Sequence, residues 1–116
     1  MDELGNVTIS TEVIATIASV AAGEIEGVSK MEMNFAESIS EKFGKKSYSK
    51  GVKVQIEDDT VIIDVFINII FGYPINETAV KVQENIKKSV ESMTELKVKK
   101  IDVHISGVTT IVEEEL

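Results

Sequence analysis

Two periodicities alternate along the chain. Val7 and Ile9 alternate with small polar residues from Gly5 to Ser10, which predicts a short strand. From Thr11 the spacing becomes helical, with Val13, Ile14, Ile17, Ala18, Val20, Ala21, Ile25 and Val28 forming one broad apolar stripe. Ser10 stands where an N-cap is wanted, and Glu12 places a carboxylate in the first turn, where the helix dipole favours an acid. This helix is expected to end at Gly23 or Gly27. Its small residues Ala15, Ala18, Ala21, Ala22 and Gly23 would let another backbone approach closely.

Between Ser29 and Lys50, Phe35, Ile39 and Phe43 recur at four-residue spacing, which predicts a short amphipathic helix stopped by Gly44. Residues 45–50 then read as a basic loop. A hairpin follows. Val52, Val54 and Ile56 alternate with Lys53, Gln55 and Glu57, Asp58-Asp59 forms the turn, and a long return strand begins at Val61. Val61, Ile63, Val65, Ile67, Ile69 and Phe71 line one face of that strand. Ile62, Asp64, Phe66, Asn68 and Ile70 line the other.

Gly72 and Pro74 end the strand, and Asn76 is the expected cap of a second helix, with Ile75 and Val80 as a hydrophobic staple. Ala79, Val82, Ile86, Val90 and Met93 form its buried stripe, with Glu77–Lys81 and Glu84–Lys88 as pairs on the wet face. Val98, Ile101, Val103 and Ile105 mark a last strand, which leaves Asp102, His104 and Ser106 on its opposite face. The predicted order is β-α-β-β-α-β in one domain over residues 1–116, with its core at about 5–108 and an acidic tail at 109–116. The fold class is α+β, a two-layer sandwich with both helices on one face of a small mixed or antiparallel sheet. A ferredoxin-like strand arrangement is the simplest right-handed solution.

Composition narrows the chemistry. The 116 residues carry 20 acids against 12 lysines, a net charge of −8, with no Arg, no Cys and one His. The missing Cys excludes disulfides, thiolate metal sites and a Cys nucleophile. The missing Arg and the acidic balance argue against nucleic acid as a partner. A single His excludes a His-rich zinc site, so no metal or cofactor is expected. No run approaches the roughly 18 apolar residues of a membrane span, and the N-terminal residues lack the pattern of a secretory signal, so a cytoplasmic protein is expected. The charge is segregated, because residues 1–41 carry −7, residues 42–53 carry +5 and residues 54–116 carry −6.

The ordered set of segments VTISTEVI (7–14), EIEGV (24–28), KGVKV (50–54), VQENIK (82–87), SMTELKV (92–98) and VHISGV (103–108) resembles the alkaline shock protein family of Gram-positive bacteria, also called envelope stress response proteins. The resemblance covers about residues 7–108. Thr11 stands where many relatives have Pro or Asp, and Glu95 where many have Gly. What the resemblance implies is a protein tied to cell-envelope stress and homeostasis, without enzymatic activity. It also implies self-association into homo-oligomers and recruitment to the inner face of the membrane by an anchored partner. The family offers no catalytic motif to transfer.

Three groups of residues stand out as sites. Ile62, Phe66 and Ile70 are apolar on the sheet face away from the helices, where a one-layer face should be polar, and they form a candidate self-association face. Lys42, Lys45, Lys46, Lys50 and Lys53 form a basic segment without an acid, suited to an acidic partner or an anionic lipid surface. Asp64, Asp102, His104 and Ser106 form a polar cluster. Ser, His and Asp two residues apart on one strand sit roughly 7 Å from each other, too far for a hydrolytic triad, so His104 is expected to pair with Asp64 across the sheet. The alternative from another class is a small-molecule or lipid-metabolite sensor with a pocket between sheet and helices, and a third reading, resting on the α/β layout and the Lys loop alone, is weak nucleic-acid binding.

Overall fold

The structure, a computed structural model, describes residues 4–29, 47–49 and 51–110. Its elements are helix α1 (Thr11–Gly23), strands β1 (Ser47–Ser49), β2 (Val52–Glu57) and β3 (Thr60–Ile70), helix α2 (Ile75–Met93) and strand β4 (Lys97–Thr109). The strands form one mixed sheet in the order β1-β2-β3-β4, with β1–β2 and β2–β3 antiparallel and β3–β4 parallel. The class is therefore α+β, as predicted, but the strand order is not the predicted one.

Residues 5–10 form no strand, and Val7 is 90% exposed. A ferredoxin-like layout would seat a first strand beside β3, between it and the last strand. Here β4 pairs with β3 directly, from Thr60↔Lys97 to Ile70↔Thr109. The other edge of β3 is also taken. β2 covers residues 60–65, and beyond it the chain just after α1 runs alongside. The Ser29 N–H donates to the Asn68 carbonyl at 2.9 Å, the Ile70 N–H donates to the Gly27 carbonyl at 2.8 Å, and Val28 bridges Ile69. With both edges of the long strand taken, residues 5–10 find no place beside β3. The predicted basic loop is corrected too, since Ser47–Ser49 pairs with β2 as β1.

Helix α1 has the predicted start: Ser10 is the N-cap and its side chain accepts from the Val13 N–H at 3.3 Å. Its buried face is narrower and built from smaller residues than the predicted stripe. Ile14, Ala15, Ala18, Ser19, Ala21 and Ala22 are buried, while Val13 and Val20 are exposed. The small residues win because a second helix leans on them. Asn85 of α2 donates to the Ala21 carbonyl at 2.8 Å and to Glu24 Oε1 at 3.0 Å, which satisfies a carbonyl in the last turn of α1.

Helix α2 begins two residues earlier than predicted. Pro74 is its N-cap, without a side-chain cap bond, so Asn76 lies inside the first turn and does not cap. Thr78 Oγ1 instead donates back to the Pro74 carbonyl at 2.7 Å. Thr78, Val82, Ile86 and Val90 are buried, and Met93 is exposed, against the predicted stripe. The ion pair on this helix is Lys87–Glu91 at 3.1 Å.

The core lies between the helices and one face of β3. Val61, Ile63, Val65, Ile67 and Ile69 are all at most 2% exposed, packed with Ile14, Val52, Val82, Ile86 and Val90. Phe71, predicted to continue that face, is exposed in the turn that follows. Gly27 is required where it stands. Its φ is +103°, and a Cβ there would come within 2.8 Å of the Tyr73 ring.

Candidate interaction surface

The face of β3 opposite the helices carries the sequence-predicted residues in an ordered grid. Strand register places Gln55, Ile62 and Lys100 in one row across β2, β3 and β4, Lys53, Asp64 and Asp102 in the next, and Phe66 with His104 in the third. Ile62, Phe66 and Ile70 are each half-buried, so the predicted apolar row is present on this face.

His104 and Asp64 meet as expected. His104 Nε2 lies 2.9 Å from Asp64 Oδ1, and the imidazole stacks on the Phe66 ring with centroids 4.5 Å apart and 14° between the planes. Strand pairing makes both contacts: Asp64 and Phe66 flank Val65, and His104 is level with Phe66. Asp102 is directed elsewhere, pairing with Lys100 at 3.5 Å. Ser106 falls where the β3–β4 register shifts, between Ile67↔Ile105 and Asn68↔Gly107, and among the described residues it makes no hydrogen bond to His104. The four residues therefore share a face without forming a nucleophile–base–acid chain. Chemically the surface offers apolar contact, a stacked imidazole and charges of both signs.

Of the basic segment, Lys42, Lys45, Lys46 and Lys50 lie outside the described residues, as does the predicted Phe35–Phe43 helix. Lys53 sits in β2 level with Asp64. Among the described residues no three His, Cys, Asp or Glu side chains are grouped to hold a metal ion, and no helix is long and apolar enough to cross a membrane.

A feature the sequence did not signal is how α2 reaches the edge of β4. Glu91 Oε2 accepts from the Val98 N–H at 2.8 Å, and Gln83 Nε2 donates to the Ile101 carbonyl at 3.0 Å. The Val98 N–H, followed by the Lys87 ammonium, holds the Glu91 carboxyl below its ordinary value. A surface groove of about 760 Å³ lies between Val7, Ile9, Ile56, Met93 and Leu96, with Asp58 and Asp59 at its rim. It opens at one end of the sheet and not between the layers, where the inner face of β3 is sealed.

Residues 1–110 match the model of the alkaline shock protein 23 family, described by a cell envelope-related function. The chain is 46% identical over 105 residues to YqhY of Bacillus subtilis (strain 168), covering 90% of this chain and 78% of that protein. It is 32% identical over 106 residues to YloU of the same organism, covering 90% and 88%. Among solved structures it is similar to the MamM CTD. The copper form matches at 10% identity and a TM-score of 0.52, covering 84% of this chain and 98% of that one. The cadmium form matches at 12% and 0.51, covering 84% and 95%. At that identity the likeness is one of fold alone.

Proposed function

This chain belongs to the alkaline shock protein 23 family, whose function is related to the cell envelope, and on that premise we propose that it is a non-enzymatic interaction protein. It self-associates through the outer face of its sheet and is held by a partner at the cytoplasmic side of the envelope. The observation that supports this most is the half-buried row Ile62, Phe66 and Ile70 on a sheet face that a single-layer design would leave polar. Charge supports a second copy as occupant. The same face carries Lys53 and Lys100 beside Asp64 and Asp102, charges of both signs that an isologous contact can set against each other. The divided pairing of Asp64 with His104 and of Asp102 with Lys100 supports binding over catalysis.

Sedimentation velocity of an Ile62→Ser, Phe66→Ser double variant tests the reading. Its mass distribution should shift to smaller species than wild type. An unchanged distribution, with the variant folded by circular dichroism, overturns it. The basic segment is tested separately by reversing the charge of Lys42, Lys45, Lys46, Lys50 and Lys53, which should abolish capture of the envelope partner.

A further inference from the structure

The two halves of β4 differ along the edge that faces away from β3. Among the described residues no strand pairs there. In the first half α2 occupies that edge, with Glu91 on the Val98 N–H and Gln83 on the Ile101 carbonyl, and Lys97, Lys99 and Lys100 add positive charge. Side-chain cover and lysines are how edge strands are kept from pairing with other chains. Among the described residues the second half has neither. No lysine follows Lys100 in the strand. Beyond Ile101 no side chain of α2 is bonded to a backbone group of β4 among the described residues. Backbone groups alternate sides along a strand, so Val103 and Ile105 turn their N–H and C=O to the same open side as the Ile101 carbonyl.

We propose that this free half-edge pairs, antiparallel, with the same edge of a second copy, with the two-fold axis at Val103. The sequence is self-complementary about that residue. Ile101 then opposes Ile105 of the second copy on the core side, and Asp102 opposes His104 of the second copy on the outer side, a carboxylate against an imidazole. The backbone agrees. Val103–Val103 and Ile101–Ile105 become the hydrogen-bonded pairs, and these are the residues whose polar groups face outward; the Ile101 carbonyl exchanges the Gln83 amide for the N–H of Ile105. Neighbouring registers fail. An axis at Asp102 opposes two carboxylates and pairs residues whose backbone groups face β3. An axis at Ile105 opposes Val103 with Gly107, which lies past the register shift and, counted back from the Thr109 carbonyl bonded to the Phe71 N–H, faces β3. An axis at Ile101 requires the lysine-bearing, side-chain-covered segment. This contact is a separate surface from the outer face and stands or falls independently of it.

The chain contains no Cys, so paired single-cysteine variants read the register directly. Asp102→Cys and His104→Cys are surface changes. In an equimolar mixture under mild oxidation the two cysteines meet as a non-hydrogen-bonded pair, about 4.5 Å between Cα atoms, within disulfide reach. Either variant alone places its cysteines diagonally, about 7–8 Å apart and beyond that reach. The expected result is a cross-linked dimer at least 10-fold more abundant in the mixture than in either variant alone, with wild type self-associating in a concentration-dependent way. Equal cross-linking in mixture and singles, or a wild type that stays monomeric at the concentration of the cross-linking, overturns the proposal. Repeating the cross-link in the Ile62→Ser, Phe66→Ser background separates the two surfaces, because the mixture-specific disulfide persists there whether or not the outer face associates.

Discussion

The two faces of β3 come from one run of residues, Thr60–Ile70, yet differ in composition and environment. The inner face is uniformly aliphatic and at most 2% exposed, while the outer alternates Ile62, Phe66 and Ile70 with Asp64 and Asn68 and keeps contact with water. A strand sealed on one side and mixed on the other separates two demands. Stability comes from the inner face, and the outer face is left to vary its chemistry without endangering the core.

The sharpest way to break that contrast is to open the inner face. Ile63→Ala should cost about 2–5 kcal/mol by chemical denaturation, since the site is fully buried among other aliphatic side chains. A loss under 1 kcal/mol would mean that the core relaxes around the hole. Next is the segment that guards the far end of β3. Gly27→Ala sets a Cβ against the Tyr73 ring at a positive φ and should cost about 1–3 kcal/mol, part of it recovered in a Gly27→Ala, Tyr73→Ala double variant. Smaller still, Asn85→Ala removes the tie between α2 and the end of α1 and should cost about 1 kcal/mol. On the outer face, a double-mutant cycle on Phe66 and His104 should return a coupling of about 0.5–1 kcal/mol, the stacking contribution alone. A coupling above 2 kcal/mol would make the outer face part of the stability core and dissolve the distinction.

The smallest expected effect is electrostatic. The folded-state pKa of Glu91 is depressed, so its contribution to stability is present above the ordinary carboxylate value and is lost as pH falls through the folded one. Glu91→Gln should therefore flatten the loss of stability on acidification, read from denaturant midpoints at successive pH values, with the variant slightly less stable than wild type near neutrality and level with it at low pH.

Much of this was legible in the residues. The helix start at Ser10, the Asp58-Asp59 turn, the two faces of β3 and the His104–Asp64 pair all follow from local rules: an N-cap, a two-residue turn and period two. The misplaced elements share one cause. Val7 and Ile9 satisfy a strand pattern, and Ser47–Ser49 does not, yet the first joins no strand among the described residues and the second forms β1. Strand status depends on whether a partner edge is free, and pattern carries no record of that. Val13 and Val20 were assigned inward by periodicity, while the closeness of α2 selected the alanines instead.

The sequence alone thus determined both helices, the β2–β3 hairpin, the buried face of the long strand, the absence of thiol and guanidinium chemistry, and the family. Tertiary structure alone decided that β4 lies directly against β3, that residues 27–29 complete the other edge, that Asp102 is turned to Lys100, and that Glu91 and Gln83 reach the first half of the β4 edge. Local propensity acts over a few residues along the chain. Edge occupancy is settled by competition among distant segments for the same backbone hydrogen bonds, and that competition is decided only when the whole chain is in place.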